Sequence, residues 1–265
     1  MIDRGSGVPV VLVPGIQGRW EWMAPAVDAL VQHCRVITFS LCDEPSSDFP
    51  CDLERGLDNY VEQIEAAFTR AGLQDALVIG VSYGGPLAAE FAARYPARVR
   101  GLVLVSALPF GWQPDRRARF YLRAPRLLSP LFCIASPRRM APELRTALPA
   151  FGERLRWSAS SSLRVARALM SPARMARRIT WIDGYEFTDP GRITAPTLII
   201  TGEDGLDRVV PPELTRRYLQ ALPSARGAVL PGTGHLGYLT KPRLFAEIVG
   251  GFASEIEDDA RRVSA

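Results

Sequence analysis

The chain has 265 residues, 47% hydrophobic and 23% charged, with a net charge of +4, which suits a soluble core of one large domain or a domain with an insertion. No apolar run reaches the ~20 residues of a bilayer-spanning helix and no secretory signal opens the chain, so a cytoplasmic protein without an integral membrane segment is expected. Cys34, Cys42, Cys51 and Cys133 show no CxxC pairing and read as free thiols; a Cys42–Cys51 bridge and a metal site beside His33 are minor alternatives, since the spacing resembles no zinc module.

The elements follow in chain order. Val8 to Val13 is a β-branched strand closed by Pro14-Gly15, followed by a helical pattern through APAVDALV and a second strand from Arg35 to Ser40. Residues 41–51 are a loop rich in Asp, Ser and Pro. From Asp52 to Arg70, Leu53, Leu57, Tyr60, Val61, Ile64 and Phe68 recur at helical spacing, with Gly72 as the stop. Ala76 to Val81 is a strand, Pro86 to Arg94 a helix, and Val99 to Ser106 a strand. After an arginine-rich segment come a strand in APTLIITG, a helix in PPELTRRYLQAL, a short strand in ARGAVLP and a closing helix in KPRLFAEIVGGFASEI.

Strands that are almost wholly apolar and alternate with helices describe a parallel sheet covered on both faces. In such sheets ligands bind beyond the carboxyl ends of the strands. One of these ends carries Gly80-Val81-Ser82-Tyr83-Gly84. A serine between two glycines, at the junction of a buried strand and a helix, is the pattern of a nucleophile elbow. The glycines leave room for the tight turn, and the helix N-terminus behind it favours developing negative charge. The alternative is a plain glycine-rich turn.

A serine hydroxyl needs a base to act as a nucleophile near neutral pH. The chain contains two histidines. His33 precedes the amino end of a strand and reads as a surface or packing residue. His235, in LPGTGHLGYL, follows the carboxyl end of the last strand. The carboxylate that would orient it is expected in TGEDGLDRVVPPE, which offers Glu203, Asp204 and Asp207.

On these three motifs the chain resembles the α/β-hydrolase-fold serine hydrolases (the esterase/lipase-like superfamily), over residues 7–106 and 190–255. The resemblance implies a doubly wound, mostly parallel sheet of about six strands, lacking the N-terminal hairpin. It divides the chain into a core of residues 1–108 and 186–265 and a helical cap or lid of residues 109–185, inserted after the strand ending near Ser106. It also implies a catalytic triad of Ser82, His235 and Asp207. Asp207 precedes Pro211 by four residues and His235 by 28, as the family's acid does, and Asp204 is the reserve. Gly80 and Gly84 frame the elbow, and the amides of Tyr83 and Ile16 form the oxyanion hole. Two departures stand out: Pro14-Gly15 replaces His-Gly, and SLCDEPSS replaces the glycine-rich motif after the second strand.

A serine at the elbow implies acyl transfer with no metal and no organic cofactor. A carboxylic-ester hydrolase is the first reading. A thioesterase, a lactonase or a carbon–carbon bond hydrolase would use the same triad, and a non-catalytic binding protein of this fold is the alternative from a different class. Residues 113–180 hold 15 arginines against Asp115, Glu143 and Glu153. These arginines admit three readings: a solvated surface, attraction of an anionic substrate or acyl carrier, or loose attachment to an anionic lipid surface. No nucleic-acid-reading module accompanies them. Within this segment, in SLRVARALMSPARMARRITWI, Leu163, Val165, Ala166, Leu169 and Met170 suggest an amphipathic helix with Arg164, Arg167 and Arg174 on its polar side. About four short helices are expected overall. Phe110, Trp112, Phe120, Tyr121, Leu131, Phe132, Trp157 and Met170 are candidates to line an acyl pocket or to pack the helices down.

Overall fold

The computed structural model describes residues 1–264. Its strands are β1 (Ile2–Arg4), β2 (Pro9–Val13), β3 (Arg35–Thr38), β4 (Ala76–Val81), β5 (Val99–Val105), β6 (Thr197–Thr201) and β7 (Ala225–Val229). Its helices are α1 (Ala24–Leu30), α2 (Asp58–Ala71), α3 (Gly84–Arg94), α4 (Arg116–Leu122), α5 (Pro125–Ala147), α6 (Phe151–Arg167), α7 (Pro172–Ile182), α8 (Pro212–Thr215), α9 (Arg217–Ala221), α10 (Gly237–Thr240) and α11 (Pro242–Ser264). The strands form one sheet in the order β1-β3-β2-β4-β5-β6-β7, parallel throughout except for the β1–β3 pair.

Period-two alternation sends Val10, Leu12, Val36, Leu77 and Ile79 to one face of the sheet, where α1 and α11 cover them with Val27, Leu30, Phe245 and Phe252. Val11, Val13, Ile37 and Val78 face the other way, against Tyr60 and Ile64 of α2 and Leu87 and Phe91 of α3. Both faces are therefore apolar, as a parallel sheet requires. The polar work of the sheet is left to its carboxyl edge.

The structure corrects several expectations. The sheet has seven strands, one more than the six or so expected. Pattern reading misses β1 because it is three residues long with Asp3 and Arg4 exposed. It is held by pairing to β3 and by Arg35, which donates to both Asp3 oxygens at 3.0 and 2.6 Å. The expected helix over PPELTRRYLQAL is two short ones, α8 and α9, separated at Arg216. The inserted helices are not all short, since α5 runs 23 residues through Pro130, Pro137 and Pro142.

Leu163 to Arg174 do not share one amphipathic helix either. α6 stops at Arg167, and the Ser171 hydroxyl accepts the Arg174 N–H to start α7, with Pro172 at its first position. Leu163 and Leu169 are exposed while Arg174 turns inward to Glu44, so the apolar and polar sides fail at these positions. Cys34, Cys42 and Cys51 are free, and the Cys42 and Cys51 thiols are hydrogen-bonded without a bridge. The side chains of Phe132 and Cys133 lie outside the described residues. Among the described residues no helix is long and apolar enough to cross a membrane, and no group of three His, Cys, Asp or Glu side chains is placed to hold a metal.

The helices α4 to α7, which lie between β5 and β6 in sequence, are tied to the sheet by one buried cation. Arg178 of α7 has no exposed surface. Its guanidinium donates to Asp43 Oδ1 and to Glu44 Oε1, both at 2.6 Å from Nη2, and through Nη1 to the Ile16 carbonyl at 2.7 Å. Arg177 and Arg174 add contacts of 3.2 Å to Asp43 and Glu44. Asp43 and Glu44 belong to the departing SLCDEPSS loop, so its shape is set by this network. Replacing Arg178 with methionine leaves two buried carboxylates with only the longer Arg174 and Arg177 contacts and should lower unfolding free energy by about 3 kcal/mol in urea denaturation. Adding Asp43→Asn and Glu44→Gln should recover part of that loss, because the uncompensated charge is then gone.

Candidate active site

β4 is buried along its whole length and turns sharply at Ser82, whose φ is +55°. That left-handed conformation costs a non-glycine residue roughly 1–2 kcal/mol, so its neighbours must hold it. The Ser82 N–H donates to the Val105 carbonyl at 2.9 Å, and its own carbonyl accepts from Gly85 and Leu108. A side chain on Gly80 would overlap the backbone of Gly84 and Gly85; a Cβ on Gly84 would sit 2.5 Å from the Val13 carbonyl. Both glycines are thus demanded by close backbone approach. Ser82 keeps 8% of its surface, the only opening left to it.

Tyr83 and Gly15 lie on either side of this serine. Tyr83 is the N-cap of α3, and the first N–H groups of a helix have no intrahelical acceptor. The Tyr83 hydroxyl donates to the Arg178 carbonyl at 3.0 Å, anchoring the residue. On the other side Gly15 lies alongside Ser82, since a Cβ there would be 3.6 Å from the serine Cβ. The Gly15 carbonyl accepts the Gly18 N–H at 2.9 Å, which fixes the 15–16 peptide plane. In a trans peptide the N–H points opposite to the C=O, so the Ile16 N–H is turned away from Gly18. Arg178 holds the next carbonyl, that of Ile16.

The loops after β6 and β7 are locked together by backbone contact. Glu203 N–H donates to the Thr233 carbonyl at 2.8 Å, Gly232 N–H donates to Glu203 Oε1 at 2.7 Å, and a Cβ on Gly234 would come within 2.7 Å of the Asp207 nitrogen. This packing brings Asp207 to His235, with Oδ2 3.1 Å from Nδ1. The other carboxylate oxygen accepts the Val209 and Val210 N–H groups at 2.9 and 2.8 Å. Asp207 is 4% exposed and His235 6%. Burial alone would push the Asp207 carboxyl up, but the His235 charge and the three hydrogen bonds outweigh it and hold it below the ordinary carboxylate value. Burial would likewise lower His235; Asp207 reverses that, and the imidazole lies above its ordinary value. With Nδ1 committed, Nε2 is the nitrogen free to exchange protons.

The reserve acid Asp204 is elsewhere: its carboxylate is exposed and pairs with Arg216 at 2.9 Å. Glu203 is spent on the Gly232 amide. His33 is exposed and lies against Gly250 of α11. A cavity of about 610 Å³ borders the site, walled by Pro109, next to the Leu108 amide that binds the Ser82 carbonyl, and by Val209, which binds Asp207. Of the expected lining residues, Trp112, Tyr121 and Met170 line it. Phe110 instead packs against Phe187 and Tyr218, Trp157 donates to the Leu239 carbonyl, and Phe120 and Leu131 are exposed. Sequence reading missed Arg178 and Glu143; the latter reaches the histidine loop from α5.

A family model described as the alpha/beta hydrolase family matches residues 10–248. The chain is 28% identical over 268 residues to a 2-hydroxy-6-oxo-2,4-heptadienoate hydrolase of Pseudomonas putida, spanning 94% of this chain and 90% of that protein. Its fold is shared with an esterase of Exiguobacterium antarcticum, at a TM-score of 0.77 with 19% identity, covering 96% of this chain and 94% of the esterase. An enol-lactonase of Burkholderia xenovorans gives 0.76 and 19%, covering 96% and 95%.

The Asp207–His235 pair also predicts a pH window. A depressed carboxyl contributes stability above its unfolded value of 3.8, lost as pH falls through the lower folded value. A raised imidazole contributes fully below its unfolded value of 6.5 and loses that as pH rises through the folded one. The unfolding free energy lost in Asp207→Asn should therefore be largest between those two values and should narrow on both sides, as urea midpoints from about pH 3 to about pH 9 would show.

Proposed function

Because the chain belongs to the alpha/beta hydrolase family, we propose that it is a serine hydrolase cleaving carboxylic esters through an acyl-enzyme. The observation that carries this reading is the buried Asp207–His235 contact, with one imidazole nitrogen left over, at the sheet edge where Ser82 is held in its left-handed turn.

In the proposed reaction the Ser82 Oγ attacks the ester carbonyl carbon and its proton passes to His235 Nε2. The imidazolium is stabilised by the Asp207 carboxylate, whose second oxygen is pinned by Val209 and Val210. The tetrahedral oxyanion is held by the Tyr83 and Ile16 amides, each such donor being worth about 3 kcal/mol in the transition state. His235 then protonates the departing alkoxide, leaving acyl-Ser82. Water attacks the acyl group, gives its proton to His235, and the acid leaves as Ser82 recovers its proton.

In this reading α4 to α7 form a cap over the site, and the bordering cavity takes the acyl group. The cavity wall mixes Trp112, Tyr121, Met170 and Ile179 with Arg117, Arg139 and Arg217. Among the described residues none of these three arginines closes an ion pair. Burial and then the charge of Arg117 pull the Arg139 guanidinium below its ordinary value, and the opposing influence of Asp115, on the same wall, and of Asp207 does not make up the difference. An acyl substrate carrying a carboxylate at its far end fits this wall. A second reading, a carbon–carbon bond hydrolase using the same three residues, is favoured by the likeness to the heptadienoate hydrolase, whose named substrate is such an anion.

A fluorophosphonate probe should label the wild-type protein and leave Ser82→Ala untouched; equal labelling would remove Ser82 from the reaction. His235→Ala should lower turnover by about two orders of magnitude or more. Rates on p-nitrophenyl esters, acyl-CoAs and vinylogous keto acids, compared side by side, would separate the two readings. Arg139→Ala should raise KM about tenfold for an ester bearing a terminal carboxylate and leave its neutral analogue unchanged.

A further inference from the structure

Glu143, on α5, is a buried carboxylate that the reaction scheme does not use. It is 1% exposed, and its Oε1 accepts the Leu236 N–H at 2.6 Å. The Gly234 amide also faces this carboxyl and favours its charged form. These two amides flank His235, so a side chain from the inserted helices grips the backbone on both sides of the imidazole that Asp207 grips from below.

A leucine would fill this space without the penalty of burying a charge, so packing does not call for glutamate here. The surroundings point to the histidine. Burial pushes the Glu143 carboxyl up to about 7, against the lowering influence of the two amides and of His235, while Asp207 adds a further push upward. The influence runs both ways: Glu143 raises His235 and Arg139 lowers it. The other ionisable groups around it are accounted for. Tyr238 of α10 is a phenol driven above its ordinary value by burial and then by Glu143, and so is uncharged at neutral pH. Arg174, Arg177 and Arg178 of α7 are engaged with Asp43 and Glu44, and Lys241 donates to the Pro231 carbonyl. Arg117 of α4 acts on Arg139.

We propose that Glu143 is a positioning residue for His235: a second carboxyl group that clamps the histidine loop through its flanking amides and, in its ionised form, sets a negative charge beside the imidazolium formed during turnover. The proposal rests on the reading of His235 as the base. It makes the inserted helices part of the proton-transfer apparatus, since loosening α5 from the loop removes both the clamp and the charge.

The chain's two histidines make the test direct, because proton NMR then shows two imidazole Cε1–H titrations, with exposed His33 as the internal control. Measured in a Ser82→Ala background, the experiment needs no turnover and stays interpretable if Ser82 proves not to be the nucleophile. Glu143→Gln keeps an oxygen for the Leu236 amide and removes the charge. Its His235 midpoint should fall by about one pH unit, with His33 unmoved. Glu143→Asp, which returns a charge one methylene further away, should restore part of the shift. In the enzyme with Ser82 intact, the acid limb of kcat/KM on a neutral ester should move down with the midpoint, and plateau kcat should fall severalfold while KM holds. Equal His235 midpoints in wild type and Glu143→Gln, with matching circular dichroism spectra showing both proteins folded, would overturn the proposal. So would a Glu143→Asp midpoint no different from that of the glutamine variant.

Discussion

The left-handed turn at Ser82 is the constraint around which the rest is arranged. A strand buried on both faces cannot display a side chain to a ligand; only where it ends can it do so. The turn at φ +55° makes that end abrupt enough to leave the serine at the rim while its backbone stays in the β4–β5 ladder through Val105. Everything near it yields space. Gly80 and Gly84 give up side chains, Gly15 lets its loop lie flat against the serine, and Leu108 and Gly85 satisfy the carbonyl that the turn would orphan. The strain of one residue is thus spread over contacts from four segments of chain.

The arginine surplus of residues 113–180 resolves into parts with different physics. Arg174, Arg177 and Arg178 meet Asp43 and Glu44 at the sheet edge, which explains why two adjacent acidic side chains tolerate burial there. Arg117 and Arg139 face a cavity that Arg217, from outside the segment, also lines. Others, such as Arg123, Arg126 and Arg156, are solvated. Of the three readings that composition allowed, the solvated surface describes some of these residues, and the buried pairing of Arg174, Arg177 and Arg178 belongs to none of them. A charge count over the segment could not separate them, because their differences lie in what each guanidinium faces.

What was legible in the sequence was whatever is encoded locally. The elbow is five consecutive residues whose glycine spacing is a steric requirement. Asp207 stands apart from Asp204 by its offset to Pro211, and the reason is visible: the chain turns back at once, so that the Val209 and Val210 amides bind one carboxylate oxygen and leave the other for His235. What escaped was encoded at a distance. Arg178 sits on α7 and its carboxylate partners lie some 134 residues earlier in the chain. Helical periodicity can say only that such a residue is polar, never that it points inward. Glu143 is the same case, an isolated acid in a helix interrupted by prolines. β1 failed for a different reason, since an edge strand of three residues with two exposed has no burial pattern to read. The break between α6 and α7 was legible after all: Ser171-Pro172 is a helix start, overlooked because apolar residues on either side continued the period.

These distant contacts bear on what the inserted helices are for. A cover whose only duty was to exclude water would need apolar packing against the rim and little else. Here two buried charged side chains leave the insertion in different directions, Arg178 to the carbonyl of Ile16 and Glu143 to the amide of Leu236. The first fixes the loop that would supply an oxyanion donor, and the second fixes the loop that carries the imidazole. Neither loop has a rigid element of its own at that point, because each is a connection leaving the end of a strand. The sheet positions Ser82 by itself, through the β4–β5 ladder and the glycines of the elbow. The loops around the serine are held partly by each other, through Glu203, Thr233 and Gly232, and partly by charges the sheet does not contain. Exchanging the insertion for that of a relative would therefore carry over more than pocket shape: without an arginine for Asp43 and Glu44, and an acid for the histidine loop, the serine would keep its geometry while its partners lost theirs.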